Sequence, residues 1–168
     1  MGIIIEKAKP EDAAEILAFT KIVGGESNNL SFGEEGVPIT ITQEQEYLAK
    51  EYESDCDIFL VARKDGVIVG TANYTTFPKM RMRHRGEFGV SVKKSEWGQG
   101  IGTRLVEELL QFAKDTACAE IVSLEVRADN GRAIHIYEKL GFKTIGCFKG
   151  FLKIDGELVD CLIMQKIL

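Results

Sequence analysis

Two carboxylates and a tyrosine are the side chains of this sequence best placed to move protons. Glu125 lies between Leu124 and Val126 in an apolar, strand-like run, and Glu87 opens an earlier run of alternating residues. Tyr137 lies in a segment whose apolar residues have helical spacing. A carboxylate can accept a proton, and a phenol, whose ordinary pKa is about 10, can donate one at neutral pH. Side chains of these types can carry acid–base chemistry, and a core tyrosine with two surface carboxylates is the alternative.

A glycine-rich turn between a strand-like segment and a helical one is the second chemical feature. Phe88, Val90 and Val92 alternate as in a strand, and residues 98–103 then lead into an amphipathic helix. Its first turn carries Arg104 and no acid, although acids usually occupy the positive end of a helix. Unpaired N–H groups beside glycines favour a bound phosphate or pyrophosphate. A turn that needs glycine only for flexibility is the alternative, and the spacing fits neither a Walker loop nor a dinucleotide fingerprint.

Two stretches together resemble the GNAT family of N-acetyltransferases. Residues 97–102 resemble the family's acyl-CoA-binding pattern Gln/Arg-x-x-Gly-x-Gly/Ala, with Trp97 at the first position. Residues 124–142 are similar to the family's strand–Asn–helix–Tyr–Gly-Phe segment, through Asn130 and Tyr137. The resemblance implies an acetyl-CoA-dependent enzyme that transfers the acetyl group directly to a primary amine. The expected acceptor is a small molecule, and the alternatives are a protein N-terminal α-amine, a non-catalytic acyl-CoA sensor or a nucleotide-phosphate binder.

The resemblance also assigns roles to individual residues. Tyr137 is the expected acid, although a tyrosine in the core is the structural alternative. Glu125 matches the proton acceptor of the ribosomal-protein N-terminal alanine acetyltransferases, and Glu87 lies where other members carry their base. A water chain, or two carboxylates with no role beyond the surface, remain open. Asn130 is expected to contact the cofactor, to cap a helix, or both. The expected cofactor contacts are Val90, Ser91, Val92, Gly98, Gln99, Gly100, Ile101, Gly102, Thr103, Asn130 and Tyr137.

Composition limits the class of protein. The 168 residues are 45% hydrophobic and 28% charged, with a net charge of −5, which predicts a single domain over residues 1–168. The absence of a basic block argues against nucleic acid as the main partner. No segment has the pattern of a membrane span or a signal peptide, so a cytoplasmic protein is expected. No metal site is expected, because the sequence has no clustered ligands.

The four cysteines have no Cys-x-x-Cys spacing and are interpreted as reduced, mostly buried thiols. They are Cys56, Cys118, Cys147 and Cys161. A covalent mechanism would require a cysteine as acyl carrier, with Cys147 and Cys161 in strand-like segments. No histidine lies within a few residues of either one in the sequence, so direct transfer is favoured.

Helical and strand-like segments alternate, which predicts an α/β fold with a mixed sheet. Asp65-Gly66 and Asp155-Gly156 predict tight hairpins. A helix is expected from about residue 11 to residue 23, followed by a loop over residues 24–38, and Thr42 is expected to cap the next helix with Gln45. The resemblance implies about seven strands and about four helices, with the strands at 86–93 and 121–126 splayed apart.

The substrate side is less defined by the sequence. The acids of the 24–38 loop, Glu26, Glu34 and Glu35, are interpreted as a solvated surface. The final strand, residues 158–168, could be a sheet edge that pairs with a second copy. Monomer and homodimer therefore both remain open.

Overall fold

Seven strands form one mixed sheet in the computed structural model, which describes residues 2–168. The strands are β1 (Ile4–Lys7), β2 (Ile58–Lys64), β3 (Val67–Thr76), β4 (Arg85–Val92), β5 (Ile121–Arg127), β6 (Lys143–Ile154) and β7 (Glu157–Ile167). The α-helices are α1 (Ala13–Glu26), α2 (Ile41–Glu53), α3 (Ile101–Asp115) and α4 (Gly131–Lys139). The predicted α/β class, strand number and helix number are confirmed.

The strand order is β1-β2-β3-β4-β5-β7-β6, and only β4 and β5 are parallel. These two strands pair only from Arg85–Glu87 to Ile121–Ser123, although both continue further. The predicted splay is therefore present. It opens the middle of the sheet at the carboxyl ends of β4 and β5.

Each face of the sheet carries its own apolar core. The core on one face is formed with α3 and α4, and includes the buried Leu105, Leu109 and Phe142. The core on the other face is formed with α1 and α2, and includes the buried Ile16 and Leu48. Each of these side chains contributes about 1.5–3 kcal/mol by leaving water. The two layers hold the splayed strands between them.

Both predicted Asp-Gly hairpins are confirmed. Asp65 and Gly66 have φ values of 52° and 82°, and Asp155 and Gly156 have 51° and 83°. A type I′ turn requires positive φ at both central residues, which aspartate tolerates and glycine favours.

The end of α1 differs from the expectation. The helix continues through Gly24 and Gly25 to Glu26, so these glycines do not end it. A Cβ on Gly24 would lie 1.9 Å from the carbonyl oxygen of Gly33. Gly24 is therefore required by the close approach of the following loop.

The start of α2 also differs, by two residues. Thr40 caps the helix: its hydroxyl accepts the Gln43 N–H at 3.2 Å, and Gln43 Oε1 accepts the Thr40 N–H at 2.9 Å. The expected pair, Thr42 and Gln45, has the same spacing but lies two residues further along the chain. The earlier capping box forms, which lengthens the helix at its start.

Two further expectations are wrong. The final strand, β7, is not a sheet edge, because it pairs with β5 on one side and β6 on the other. The cysteines are free, but three of them are exposed and only Cys161 is buried. Strand-like sequence around a cysteine did not indicate burial because β6 keeps most of its side chains exposed.

Candidate active site

A cavity of about 740 Å³ passes through the opening between β4 and β5. One end is bounded by the glycine-rich turn and α4, and the other by the segment after α1 and by β6. Seven of the predicted proton-transfer and turn residues line it together: Glu125, Tyr137, Gly98, Gly100, Ile101, Gly102 and Thr103. Glu87 is not among the residues of 2–168 that line it. The site brings a phosphate-binding type of turn and two proton-transfer groups to one space.

The edge of β4 that faces the cavity has free backbone groups. Lys93 N–H donates to Val69 O at 2.9 Å, which fixes the residues that bond to β3. Because neighbouring residues of a strand direct their backbone groups to opposite edges, Val90 and Val92 direct theirs toward β5. Past Glu87 that strand has moved away. Both valines line the cavity, in the position expected for strand-like pairing with a ligand.

Ser91 lines the same cavity but is turned toward the neighbouring strand. It pairs with Thr71 of β3, and the two hydroxyl oxygens lie 3.1 Å apart. Its side chain, and not its backbone, is thus the part open to a ligand.

The glycine-rich turn leaves the start of α3 exposed. Gly98 and Gly100 have φ values of 83° and 76°, a region that other residues rarely adopt. Gly100 is the N-cap of α3, whose first turn has no acid, and a Cβ there would meet no atom within 4 Å. The exposed helix start, with Gly102 and Thr103 also on the cavity wall, can accept an anion.

Two residues of the turn have structural roles. Ile101 lines the cavity but is almost fully buried, with 2% of its surface exposed. Gln99 is not a lining residue within 2–168. Its side-chain nitrogen donates to Glu96 Oε2 at 2.8 Å, which stabilises the turn.

Trp97, which departs from the family pattern, supports the same turn. Its indole N–H donates to Val92 O at 2.8 Å, so this carbonyl of the β4 edge is already used. The Arg132 guanidinium, from α4, lies 5.1 Å from the centre of the Trp97 ring. A Cβ on Gly98 would be 3.7 Å from Arg132 Nη2. The turn therefore has a cation beside it, supplied by α4 and not by position 97.

The two candidate bases share one face of the sheet. Glu87 is opposite Ser123 in the β4–β5 register, and Glu125 lies two residues beyond Ser123 on the same side. Removal of water by the cavity walls raises the pKa of Glu125, and the negative charge of Glu87 raises this pKa further. Glu125 is thus a stronger proton acceptor than an ordinary glutamate.

Tyr137 projects from α4 into an aromatic cluster. Its ring lies 5.8 Å from that of Phe88 and 6.0 Å from that of Phe142, in edge-on contacts. Burial raises the pKa of Tyr137 to about 12. The side chain is therefore both a packed tyrosine and a cavity-lining phenol that stays protonated at neutral pH.

Asn130 caps α4, which is one of the two roles expected for it. Its Oδ1 accepts the Ala133 N–H at 3.2 Å, and the residue also lines the cavity. The cap leaves its side-chain amide nitrogen free of any hydrogen bond within residues 2–168.

The sequence interpretation missed an arginine on the cavity wall. Arg127 forms two bonds to Asp129, of 2.8 and 2.7 Å, and a third, of 2.9 Å, to the carbonyl oxygen of Asn28. The pair Arg127-x-Asp129 is visible in the sequence, but the contact with a residue 99 positions away is not. This clamp fixes the segment after α1 over the end of β5.

The three acids of the segment after α1 lie in two different environments. Glu34 and Glu35 are exposed, in agreement with a solvated surface. Glu26 instead lines the cavity, and its Oε2 accepts the Lys94 N–H at 2.7 Å. The interpretation of all three acids as solvated is therefore wrong for Glu26.

Metal binding and membrane insertion are two further properties on which the structure bears. No group of three or more His, Cys, Asp or Glu side chains within residues 2–168 is arranged to hold a metal ion. None of the helices described is both long and apolar enough to cross a membrane.

Comparison with known proteins identifies the family. The model of the GNAT acetyltransferase family matches residues 29–142. An L-amino acid N-acetyltransferase of Escherichia coli K12 is 30% identical over 108 residues, 64% of this chain and 67% of the relative. An N-alpha-acetyltransferase of Mycobacterium tuberculosis is 31% identical over 117 residues, 70% of each protein.

A solved structure agrees over nearly the whole chain. A GNAT-family acetyltransferase from Streptococcus pneumoniae is 31% identical, with a TM-score of 0.95 and 99% of both chains covered. The chain therefore belongs to the GNAT family of N-acetyltransferases and is an enzyme that transfers an acetyl group to an amine.

Proposed function

We propose that this enzyme takes its acetyl group from acetyl-CoA and transfers it directly to the primary amine of a small molecule. We also propose that residues 1–168 work as a single acetyltransferase domain. The observation that carries the proposal is the continuous cavity between β4 and β5, which has a helix start at one end and Glu125 and Tyr137 on its walls. A thioester and an amine could meet there in one ternary complex.

The protein groups at the turn fit the phosphates of coenzyme A. The N–H groups that begin α3 are open beside Gly100, because nothing lies within 4 Å of its missing Cβ. Arg132 adds a positive charge near Gly98. Backbone donors and a guanidinium are both good partners for phosphate oxygens. Acetyl-CoA bound here would place its arm along the free backbone of Val90.

Glu125 would act as the general base. An alkyl ammonium has a pKa of roughly 10, so only a small fraction of the amine is neutral at pH 7. A carboxylate on the cavity wall can accept the proton, directly or through water. The nitrogen then forms its bond to the acetyl carbon while the carbon–sulfur bond breaks.

Tyr137 would act as the acid. Its raised pKa keeps the phenol protonated, so it can donate its proton toward the departing sulfur. Coenzyme A leaves as a thiol, the second proton that the new amide nitrogen must lose restores the phenol of Tyr137, directly or through water, and the proton taken by Glu125 returns to solvent. Each step uses a side chain that lines the same cavity.

Cytoplasmic location is part of the proposal. All four cysteines are unpaired, which suits a reducing compartment. A protein α-amine remains the second candidate acceptor, since one relative is named an N-alpha-acetyltransferase.

The test is thiol release from acetyl-CoA with a panel of amines, amino acids and short peptides, with each product identified by mass spectrometry. An N-acetylated small amine with equimolar thiol would support the proposal. Acetylation of peptides alone would favour the second candidate. Acetyl-CoA binding without release on any acceptor would overturn the transfer reaction proposed here.

A further inference from the structure

The charges on the cavity wall are unevenly balanced. Five side chains that carry a full charge line the cavity within residues 2–168: Glu26, Glu96, Glu125, Arg127 and Arg132. Glu26 accepts a backbone N–H at 2.7 Å. Glu96 accepts from Lys64 Nζ and from Gln99 Nε2, both at 2.8 Å. These two acids are therefore already paired.

The two cations lie in different surroundings. All three guanidinium nitrogens of Arg127 donate hydrogen bonds, two to Asp129 and one to Asn28 O. Arg132 lies against Trp97, at the glycine-turn end of the cavity. A second anion near Glu125 would therefore have to compete with Asp129 for Arg127, which lies two residues along the same strand.

Glu125 is different. No other residue among 2–168 donates a hydrogen bond to its carboxylate or forms an ion pair with it. Its pKa is raised by burial and by the charge of Glu87, and lowered by the more weakly acting charge of Arg85. The part of the cavity where the amine would lie thus carries a carboxylate that no other residue of 2–168 pairs directly.

The rest of that end of the cavity combines apolar side chains with a few neutral polar ones, such as Ser27, Asn29 and Ser31. Its walls come from the segment after α1, from the sheet face and from β6, and include Leu30, Phe32, Val37, Phe59, Phe151 and Leu152. A small pocket of this kind binds the apolar body of a ligand and uses few polar groups to orient it.

We infer that the acceptor is a primary amine with an apolar body and no carboxylate beside its amine. This inference rests on the proposed function. A free amino acid carries its carboxylate one carbon from the amine, so this group would lie near Glu125, while Arg127, the cation on the same strand, is held by Asp129. Like charges held close together disfavour binding. Discrimination of this kind arises from an unpaired charge in the wrong complex.

The experiment uses matched acceptors that differ in the carboxylate. Phenylalanine, phenylalaninamide and 2-phenylethylamine form one series, and leucine, leucinamide and isoamylamine the other. The quantity measured is kcat/KM at saturating acetyl-CoA, expressed per concentration of neutral amine. We expect the amines and amides to exceed the free amino acids by at least about tenfold. Equal or better activity with the amino acids would overturn the inference.

A variant tests the reason for the discrimination. Asp129→Asn removes the carboxylate that holds Arg127 and should free its guanidinium for a substrate carboxylate. The ratio of amine to amino-acid activity should then fall by at least about fivefold. Glu138→Gln is the control, because it changes the net charge equally on the exposed side of α4. An unchanged ratio in Asp129→Asn would refute the role of the clamp.

Different measurements test the proposed reaction and this inference. If no acceptor gives thiol release, the proposed reaction fails. Calorimetric binding of 2-phenylethylamine and phenylalanine to the CoA-loaded protein then decides the inference. Tighter binding of the amine by about tenfold would support it, and equal or tighter binding of phenylalanine would overturn it.

Discussion

Glu87 and Glu125 lie on one face of two splayed strands, and the negative charge of Glu87 contributes to the raised pKa of Glu125. Only Glu125 lines the cavity. We therefore propose different roles for the two carboxylates. Glu125 would take the proton, and Glu87 would adjust the pH at which Glu125 can do so.

The first prediction separates these roles by pH. Glu125 must be ionised to accept a proton, so kcat/KM should rise with pH through an apparent pKa above the ordinary glutamate value. Glu125→Gln should lower kcat/KM by about 100-fold or more and remove this rise. Glu87→Gln removes a nearby negative charge, so the rise should remain and move to lower pH.

The measurement is kcat/KM from pH 5 to pH 9 for the parent enzyme and both variants, corrected for the neutral fraction of the amine. A profile that vanishes in Glu87→Gln and persists in Glu125→Gln would assign the base to Glu87. A rise present in both variants would favour a water chain.

The second prediction concerns Tyr137. Tyr137→Phe removes the phenol and keeps the ring that packs against Phe88 and Phe142. We expect kcat to fall by about 100-fold or more, because the departing sulfur loses its proton donor. The Kd of acetyl-CoA and the melting temperature should change little. Full activity in Tyr137→Phe would leave the tyrosine with a packing role only.

The third prediction tests the glycine turn with a matched control. Gly100 and Gly156 both have positive φ, and neither has an atom within 4 Å of its missing Cβ. Valine should strain the backbone equally at either position, but only Gly100→Val places methyl groups over the start of α3. The Kd of acetyl-CoA, from calorimetry, should rise at least about tenfold in Gly100→Val alone. Similar weakening by Gly156→Val would indicate that strain, and not lost access to the helix start, is the cause.

The fourth prediction concerns the stability of α2. Glu51 is 4% exposed and its Oε2 has no hydrogen-bond partner within residues 2–168. Burial, followed by the charge of Asp57, raises the pKa of Glu51 to about 7. Between the ordinary glutamate pKa and about 7, the folded protein holds a proton that the unfolded chain releases. The contribution of Glu51 to stability should therefore be fully present below the ordinary glutamate pKa and decline as the pH rises through this range, by up to about 3 kcal/mol.

Glu51→Gln removes the charge that must be buried at high pH. We expect the free energy of unfolding to increase relative to the parent by about 1–3 kcal/mol at pH 8, and by much less at pH 5. Urea unfolding at both pH values measures this difference. Glu46→Gln, on the exposed side of the same helix, should show no such pH dependence. A gain that is equal at pH 5 and pH 8 would contradict the assignment.

Local chemistry made much of the fold predictable. The two Asp-Gly turns and the capping by Asn130 depend on residues close to one another in the chain. Apart from the cap of α2, the mistakes about the fold came from contacts across the chain. Gly24 was expected to end a helix, but the approach of Gly33 explains it.

The missed parts of the site have the same origin. Arg132 reaches the turn through Trp97, which lies on another element, and Arg127 is held by a carbonyl beyond α1. Pairing of β7 between β5 and β6 is likewise a property of the whole sheet. Each of these contacts joins segments that periodicity treats separately.

Direct transfer requires no cysteine, whereas a covalent mechanism requires one as the acyl carrier. Cys161 is the cysteine that lines the cavity, and burial raises the pKa of its thiol, which makes it a poor nucleophile. Cys147 is exposed on β6 and lies outside the cavity lining described for residues 2–168. Cys161→Ala should therefore keep most of the activity.

The most direct test is an initial-rate matrix, in which thiol release is followed while acetyl-CoA and one accepted amine are varied together, for the parent enzyme and for Cys161→Ala. Direct transfer predicts intersecting double-reciprocal lines in both proteins, since both substrates must be bound before transfer. Parallel lines in the parent, with loss of activity in Cys161→Ala, would indicate an acetyl-cysteine intermediate and would contradict direct transfer to the amine.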